Sequence, residues 1–191
     1  MGLPAKDERY TYADYLSWGN KFKGELIEGI PYAMAGTSRL HQDARGEMER
    51  QFRNHLIGKT FQIFSENFDV RLNHTEKDDT VVQPDIIVVC DPSKISDKSC
   101  DGAPDLVVEV LSRSTSKKDR ITKLQLYEKA GVQEYWIVDP FNRCATVYIL
   151  EDNKYGLAAK TYEATDTIPV HVLKDCNIDL TTVFEDIEIE T

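Results

Sequence analysis

Val81-Val82-Gln83-Pro84-Asp85-Ile86-Ile87-Val88-Val89 and Ala103-Pro104-Asp105-Leu106-Val107-Val108-Glu109-Val110-Leu111 are the stretches that decide the fold. They sit in near-continuous apolar runs, Thr80 to Cys90 and Pro104 to Ser112, as expected of central strands covered on both faces. Each carries an acid, Asp85 or Glu109, among β-branched residues. A carboxylate in that setting needs a hydrogen bond, a cationic partner or a metal to offset its desolvation. A divalent cation shared between two such strands would meet the need and also supply chemistry.

Strand geometry limits which acids can cooperate. Asp105 and Glu109 lie four residues apart on one strand, ~13 Å at ~3.3 Å per residue. That is too far for one cation whose ligands sit at ~2.0–2.6 Å. Asp85 can neighbour Glu109 across the ~4.8 Å spacing of adjacent strands. Asp85 and Glu109 are therefore the candidate metal pair, the Val110 carbonyl can complete the ligand set, and Asp105 starts a strand. Structural alternatives stand beside these roles: Asp85 as a turn acid after Pro84, and Glu109 in an ion pair with Arg113 or Lys123. Glu25 either adds a third carboxylate or stands exposed on its strand. His41, early in a helix, is either functional or a surface or half-buried histidine.

Lys123 and Tyr127 are separated by one helical turn and project from neighbouring positions. The Lys123 ammonium could sit near an attacking water or balance charge on a scissile phosphate; the alternative is a solvated lysine. No G-x-S-x-G elbow surrounds Ser112, Ser114 and Thr115. Gly24, Gly29 and Gly36 form no recognised phosphate-cradling loop.

The rest of the chain frames these runs. Thr11 to Leu16 reads as a short capped helix, and Glu25 to Met34 as a hairpin turning at Glu28-Gly29. Leu40, Ala44, Met48 and Phe52 recur every four residues, which predicts a helix from Ser38 to Leu56 stopped by Gly58. Phe61 to Leu72 is aromatic and β-branched and reads as strand. Ser116-x-x-Asp119 resembles a helix start, with Ile121, Leu124, Tyr127 and Ala130 as the buried face and Gly131 as the stop. Glu134 to Pro140 is a further strand, paired with Arg143 to Leu150. Beyond Glu151 the pattern weakens into short strands and turns. A mixed sheet flanked by helices results, in one domain spanning 1–191.

The chain has 191 residues, 41% hydrophobic and 29% charged, a soluble globular composition. No apolar stretch reaches the roughly 20 residues needed to cross a bilayer, and the first residues lack a secretory signal, so a cytoplasmic location is expected. Cys90, Cys100, Cys144 and Cys176 have no zinc-like spacing with one another or with the histidines and read as reduced thiols. A net charge of −10 argues against a protein that coats nucleic acid. Arg113, Lys117, Lys118, Arg120 and Lys123 nevertheless form one basic patch, while acids such as Glu185, Asp186, Glu188 and Glu190 lie elsewhere. That distribution favours local capture of a phosphate.

The blocks Gly24-Glu25-Leu26-Ile27-Glu28-Gly29, Gln83-Pro84-Asp85-Ile86 and Pro104 to Ser112, followed by Lys123-x-x-x-Tyr127-x-x-Ala130-Gly131-Val132-x-Glu134-Tyr135-Trp136-Ile137-Val138-Asp139-Pro140, resemble those of the Uma-two endonuclease family over roughly residues 10 to 180. That family is part of the restriction-endonuclease-like PD-(D/E)xK superfamily. The resemblance implies an α/β fold with an αβββαβ core, magnesium at the acids (manganese as a substitute), and DNA cleavage by a metal-activated water. Asp85 matches the signature aspartate and Glu109 the second acid. Leu111 stands where the superfamily usually has its lysine. Lys123, from the following helix, is the position that fits, and Lys123-x-x-x-Tyr127 fills a slot where some superfamily nucleases carry Gln-x-x-x-Tyr. Glu25 and His41 also match family positions.

The expectation is a magnesium-dependent nuclease acting on nucleic acid, with no membrane association. Asp85, Glu109 and Val110 would hold the metal, Lys123 would assist with Glu25 and His41, and Arg113, Lys117, Lys118, Arg120 and Tyr127 would contact phosphates. The alternatives are an inactive nuclease fold kept as a binding or regulatory module, and a metal-dependent hydrolase of small phosphate compounds. A homodimer would ease double-strand cleavage, although no heptad pattern is visible.

Overall fold

The computed structural model describes residues 8–34, 36–75, 77–112, 118–156 and 159–185, with the backbone alone at 118 and 119. Along the chain run α1 (Tyr12–Trp18), β1 (Gly24–Ile27), β2 (Ile30–Ala33), α2 (Arg39–Leu56), β3 (Gln62–Ser65), β4 (Asp69–Arg71), β5 (Val81–Val82), β6 (Ile86–Val89), β7 (Ser99–Asp101) and β8 (Leu106–Val110). A π-helical turn (Lys118–Lys123) then leads into α3 (Leu124–Ala130), β9 (Glu134–Asp139), β10 (Cys144–Glu151), β11 (Lys154–Tyr155), β12 (Lys160–Glu163), β13 (Thr167–Pro169), β14 (Asn177–Asp179) and α4 (Leu180–Val183).

Period-two alternation in the two deciding runs organises the core. Ile86 and Val88 face one side with Leu106, Val108 and Val110, against Ala44, Met48 and Phe52 of α2. Ile87 and Val89 face the other side with Val107 and Leu111, against Tyr127 of α3. Both faces are covered, so the runs read as continuous rather than alternating. Within the central sheet, β3–β6–β8 form an antiparallel meander. β8 and β9 pair in parallel, a connection that needs a crossover helix, and α3 supplies it. The order α2, β3, β6, β8, α3, β9 is the αβββαβ core expected from the resemblance.

Among the described residues this sheet has the order β11-β10-β9-β8-β6-β3, with β12 on β10; a second sheet runs β2-β1-β5-β4-β7, and β13 pairs with β14. Local chemistry explains the elements. Thr11 closes a capping box with Asp14 at the start of α1, and Ser38 caps α2. The β1–β2 hairpin turns through Glu28 and Gly29, both at positive φ, as a two-residue turn requires.

Three readings change. The run from Phe61 to Leu72 is two strands in different sheets, broken where Glu66 and Asn67 take φ of 29° and 58°. The run from Thr80 to Cys90 also divides: β5 belongs to the second sheet and β6 to the central one. The break falls at Gln83-Pro84-Asp85, where proline has no N–H to give a ladder. Ile121, expected on the buried face of its helix, is 51% exposed and Lys123 is buried instead, because the π-helical turn shifts the phase of the face before α3 begins. The segment between β6 and β8 contains β7, and the expected helix start at Ser116 lies outside the described residues.

Candidate functional site

Asp85, His41 and Lys123 sit at or next to the ends of elements. Asp85 follows the crossing between the two sheets. The β6–β8 register pairs Ile86 with Val108 and Ile87 with Val107, and continuing it by one residue sets Asp85 against Glu109. Directly opposed residues of an antiparallel pair share a face, so the register puts the two acids at neighbouring backbone positions. β1 brings Glu25 from the second sheet. Lys123 ends the π-helical turn, Tyr127 follows in α3, and His41 lies in the first turn of α2.

The side chains form two bonded groups, one around Lys123 and one around Asp85. Lys123 Nζ lies 2.8 Å from Glu25 Oε1 and 2.7 Å from Glu109 Oε1. The Tyr127 hydroxyl donates to the same Glu109 oxygen at 2.7 Å, and the Gln83 N–H donates to Glu25 Oε1 at 3.2 Å. Asp85 accepts from the Val110 N–H at 2.6 Å through Oδ2 and meets His41 Nε2 at 3.0 Å through Oδ1. A ring bonded to a carboxylate through Nε2 carries its proton there. His41 Nδ1 is buried with no hydrogen-bond partner among the described residues.

Burial separates the readings that the sequence leaves open. Glu25, Glu109, Lys123 and His41 are only 2–4% exposed. Lys123 is therefore no solvated lysine, Glu25 no exposed strand acid and His41 no surface histidine. The Glu109–Lys123 ion pair is present. Asp105 precedes β8 and caps the Cys90 N–H at 2.7 Å. Tyr127, expected among the phosphate contacts, is fully buried instead. Burial, and then the Glu109 carboxylate, holds its hydroxyl well above the usual phenol range, so it stays a hydrogen-bond donor and fixes Glu109. Arg120 bonds Asp139 at 2.9 Å with its side chain 44% exposed. Arg113, Lys117 and the Lys118 side chain lie outside the described residues.

One group was missed by sequence reasoning. Asp69, 8% exposed, accepts from Tyr12 at 3.1 Å, from Tyr15 at 3.4 Å and from the Gln83 amide at 2.8 Å. Gln83 thus links Asp69 through its side chain to Glu25 through its backbone. The signal that singled out Glu109, an acid in an apolar strand, was present at Asp69 as well.

Among the described residues, no three His, Cys, Asp or Glu side chains are grouped so as to hold a metal ion. Magnesium is commonly held by one or two carboxylates and keeps several waters. The hard oxygens of Asp85, Glu109 and the Val110 carbonyl fit that ion in kind. Among the described residues Asp85 also has no lysine or arginine within ion-pair distance, His41 being its charged or polar side-chain partner. No described helix is long and apolar enough to cross a membrane.

Comparison with known proteins places the chain. An uncharacterised protein of Synechocystis sp. (strain ATCC 27184 / PCC 6803 / Kazusa) is 31% identical over 158 residues, 81% of each chain. The crystal structure of a protein from Anabaena variabilis ATCC 29413, described as a putative nuclease belonging to DUF820, aligns with a TM-score of 0.75 at 19% identity. It covers 92% of this chain and 98% of its own, and that likeness carries the fold. The Uma2 family model, described as "Putative restriction endonuclease", matches residues 12–181. The chain belongs to the Uma2 family.

Proposed function

We propose that this chain is a magnesium-dependent nuclease that hydrolyses DNA phosphodiester bonds with water. The observation that carries the reading is the delivery of Asp85 and Glu109 by neighbouring antiparallel strands, with the Lys123 ammonium on Glu109. Asp85, Glu109 and the Val110 carbonyl would hold the ion, which when bound supplies Lewis acidity toward water and phosphate. His41 and the Val110 N–H keep the Asp85 carboxylate oriented. Tyr127 fixes Glu109 from within the core. Lys123, braced by Glu25 and Glu109, keeps a positive charge beside the reacting centre, where charge builds on the phosphate. Arg120 and the neighbouring lysines and arginine of the basic patch would approach flanking phosphates. A homodimer would present two such centres to one nucleic acid.

Asp85→Ala and Glu109→Ala are each expected to abolish magnesium- or manganese-dependent nicking of plasmid DNA, a loss of at least ~100-fold on the scale of removed catalytic groups. Undiminished nicking by either purified variant refutes the assignment. A second reading, a nuclease fold retained as a binding or regulatory module, draws on Leu111. This residue is 2% exposed and packed in the apolar cluster at the position where the superfamily usually has lysine. Calorimetry with magnesium or manganese separates the two: no heat, with stability unchanged by a chelator, favours the module.

A further inference from the structure

The β1–β2 hairpin carries one face toward the site. Its register pairs Ile27 with Ile30 and Glu25 with Tyr32. One step further out, the Met34 N–H donates to the Lys23 carbonyl at 3.0 Å, so Lys23 and Met34 form the next pair. Opposed pairs share a face and alternate along the ladder, which sets all three pairs on the same side. Moving outward, that side presents an apolar pair, then the buried Glu25 beside Tyr32, then an ammonium beside a thioether. Tyr32 is 36% and Met34 43% exposed, and Lys23 is exposed. Leu26 and Pro31, paired on the opposite face, are buried.

This arrangement places an exposed aromatic ring directly across the strand from a site carboxylate, on an edge strand of the second sheet. A chain with net charge −10 cannot rely on general attraction to phosphates, so affinity for a polyanion must come from local contacts. Aromatic side chains stack on bases without regard to sequence, and a neighbouring cation tracks the backbone.

We propose that Tyr32 and Met34 form a stacking lip for an unpaired nucleobase next to the scissile phosphate, with Lys23 against the adjoining phosphate. The inference rests on the nuclease reading and narrows it. The substrate is a strand with an unstacked base at the cut: a single strand, a flap or a junction rather than uninterrupted duplex.

The test uses short oligonucleotides carrying 2-aminopurine, as a single strand and as a perfect duplex, with calcium in place of magnesium and again in a chelator. The wild-type protein should bind the single strand and quench the probe. Tyr32→Ala should weaken binding about 5- to 100-fold and lose the quench, while Tyr32→Trp and Tyr32→Phe retain both; unaltered melting of each variant excludes a folding effect. Equal binding by Tyr32→Ala overturns the lip alone, as does duplex binding as tight as single-strand binding without quench. Failure of the wild-type protein to bind any oligonucleotide removes the nuclease reading with it.

Discussion

Burying Lys123 between Glu25 and Glu109 strips water from three charges, and their mutual attraction recovers that cost only with good geometry and further hydrogen bonds. Both conditions are met here: the ammonium sits at 2.8 and 2.7 Å from the two carboxylates, while the Tyr127 hydroxyl and the Gln83 N–H hold those same oxygens. Replacing all three charged groups together by well-packed apolar side chains is often neutral or stabilising, whereas removing one partner strands the others. Lys123→Met keeps the stem and removes the ammonium, leaving two buried carboxylates close together. The expected loss is about 3–5 kcal/mol, measured by urea denaturation at neutral pH. A loss below about 1 kcal/mol would mean that the lysine does not hold the acids together. The same residue marks a limit of sequence reasoning. Its pairing with Tyr127 was legible because the two are one turn apart, whereas the exposure of Ile121 was not, because residue spacing does not announce a π-helical turn.

Elements position the acids through their ends. The strand between Thr80 and Cys90 was legible as apolar, but its division between two sheets depends on which neighbours pair with each half. Pro84 was the visible hint, since it cannot donate in a ladder. The hairpin that brings in Glu25 was legible from its turn, and its tight closure was not. A Cβ built on Gly24 would lie 2.3 Å from the Tyr32 carbonyl oxygen and 2.5 Å from the Phe22 ring. One of these neighbours is backbone, so β2 would have to move away from β1 beside Glu25. Gly24→Ala is expected to cost about 1–3 kcal/mol, lowering the melting temperature by about 2–4 °C for each kcal/mol. Gly46 is the internal contrast. It lies within α2 with nothing within 4 Å of a new Cβ, so Gly46→Ala should stabilise by about 0.5–1 kcal/mol. Thermal melting of the two variants checks the pair; equal signs would contradict the close approach at Gly24.

Across the whole molecule, acids in apolar strands recur with different purposes. Glu109 and Glu25 meet Lys123, Asp69 gathers two tyrosines and Gln83, and Glu134 ties the chain's later portion to the central sheet. Sequence patterns expose the anomaly but not the destination, which depends on residues far away in the chain; β6, which follows Asp85, does pair with β8, which carries Glu109. Glu134 is fully buried on β9. It accepts the Trp136 indole N–H at 2.8 Å and the Val172 N–H at 3.0 Å, holding the segment that leads into β14 and α4. Burial raises its carboxyl above the ordinary 4.5, against the opposing effect of the N–H donors from Val172, Trp136 and His171. The folded protein therefore holds this proton more tightly than the unfolded chain does. The resulting stability is fully present below about pH 4.5 and is lost as pH rises through the raised folded value. Glutamine does not titrate there, and its amide faces an N–H donor at a cost of about 1–3 kcal/mol at every pH. The stability gap between wild type and Glu134→Gln should be largest in acid and shrink toward neutrality, measured by urea denaturation across that range. A gap that widens with rising pH would mean that the N–H donors outweigh burial and that the segment is clamped by a charged carboxylate.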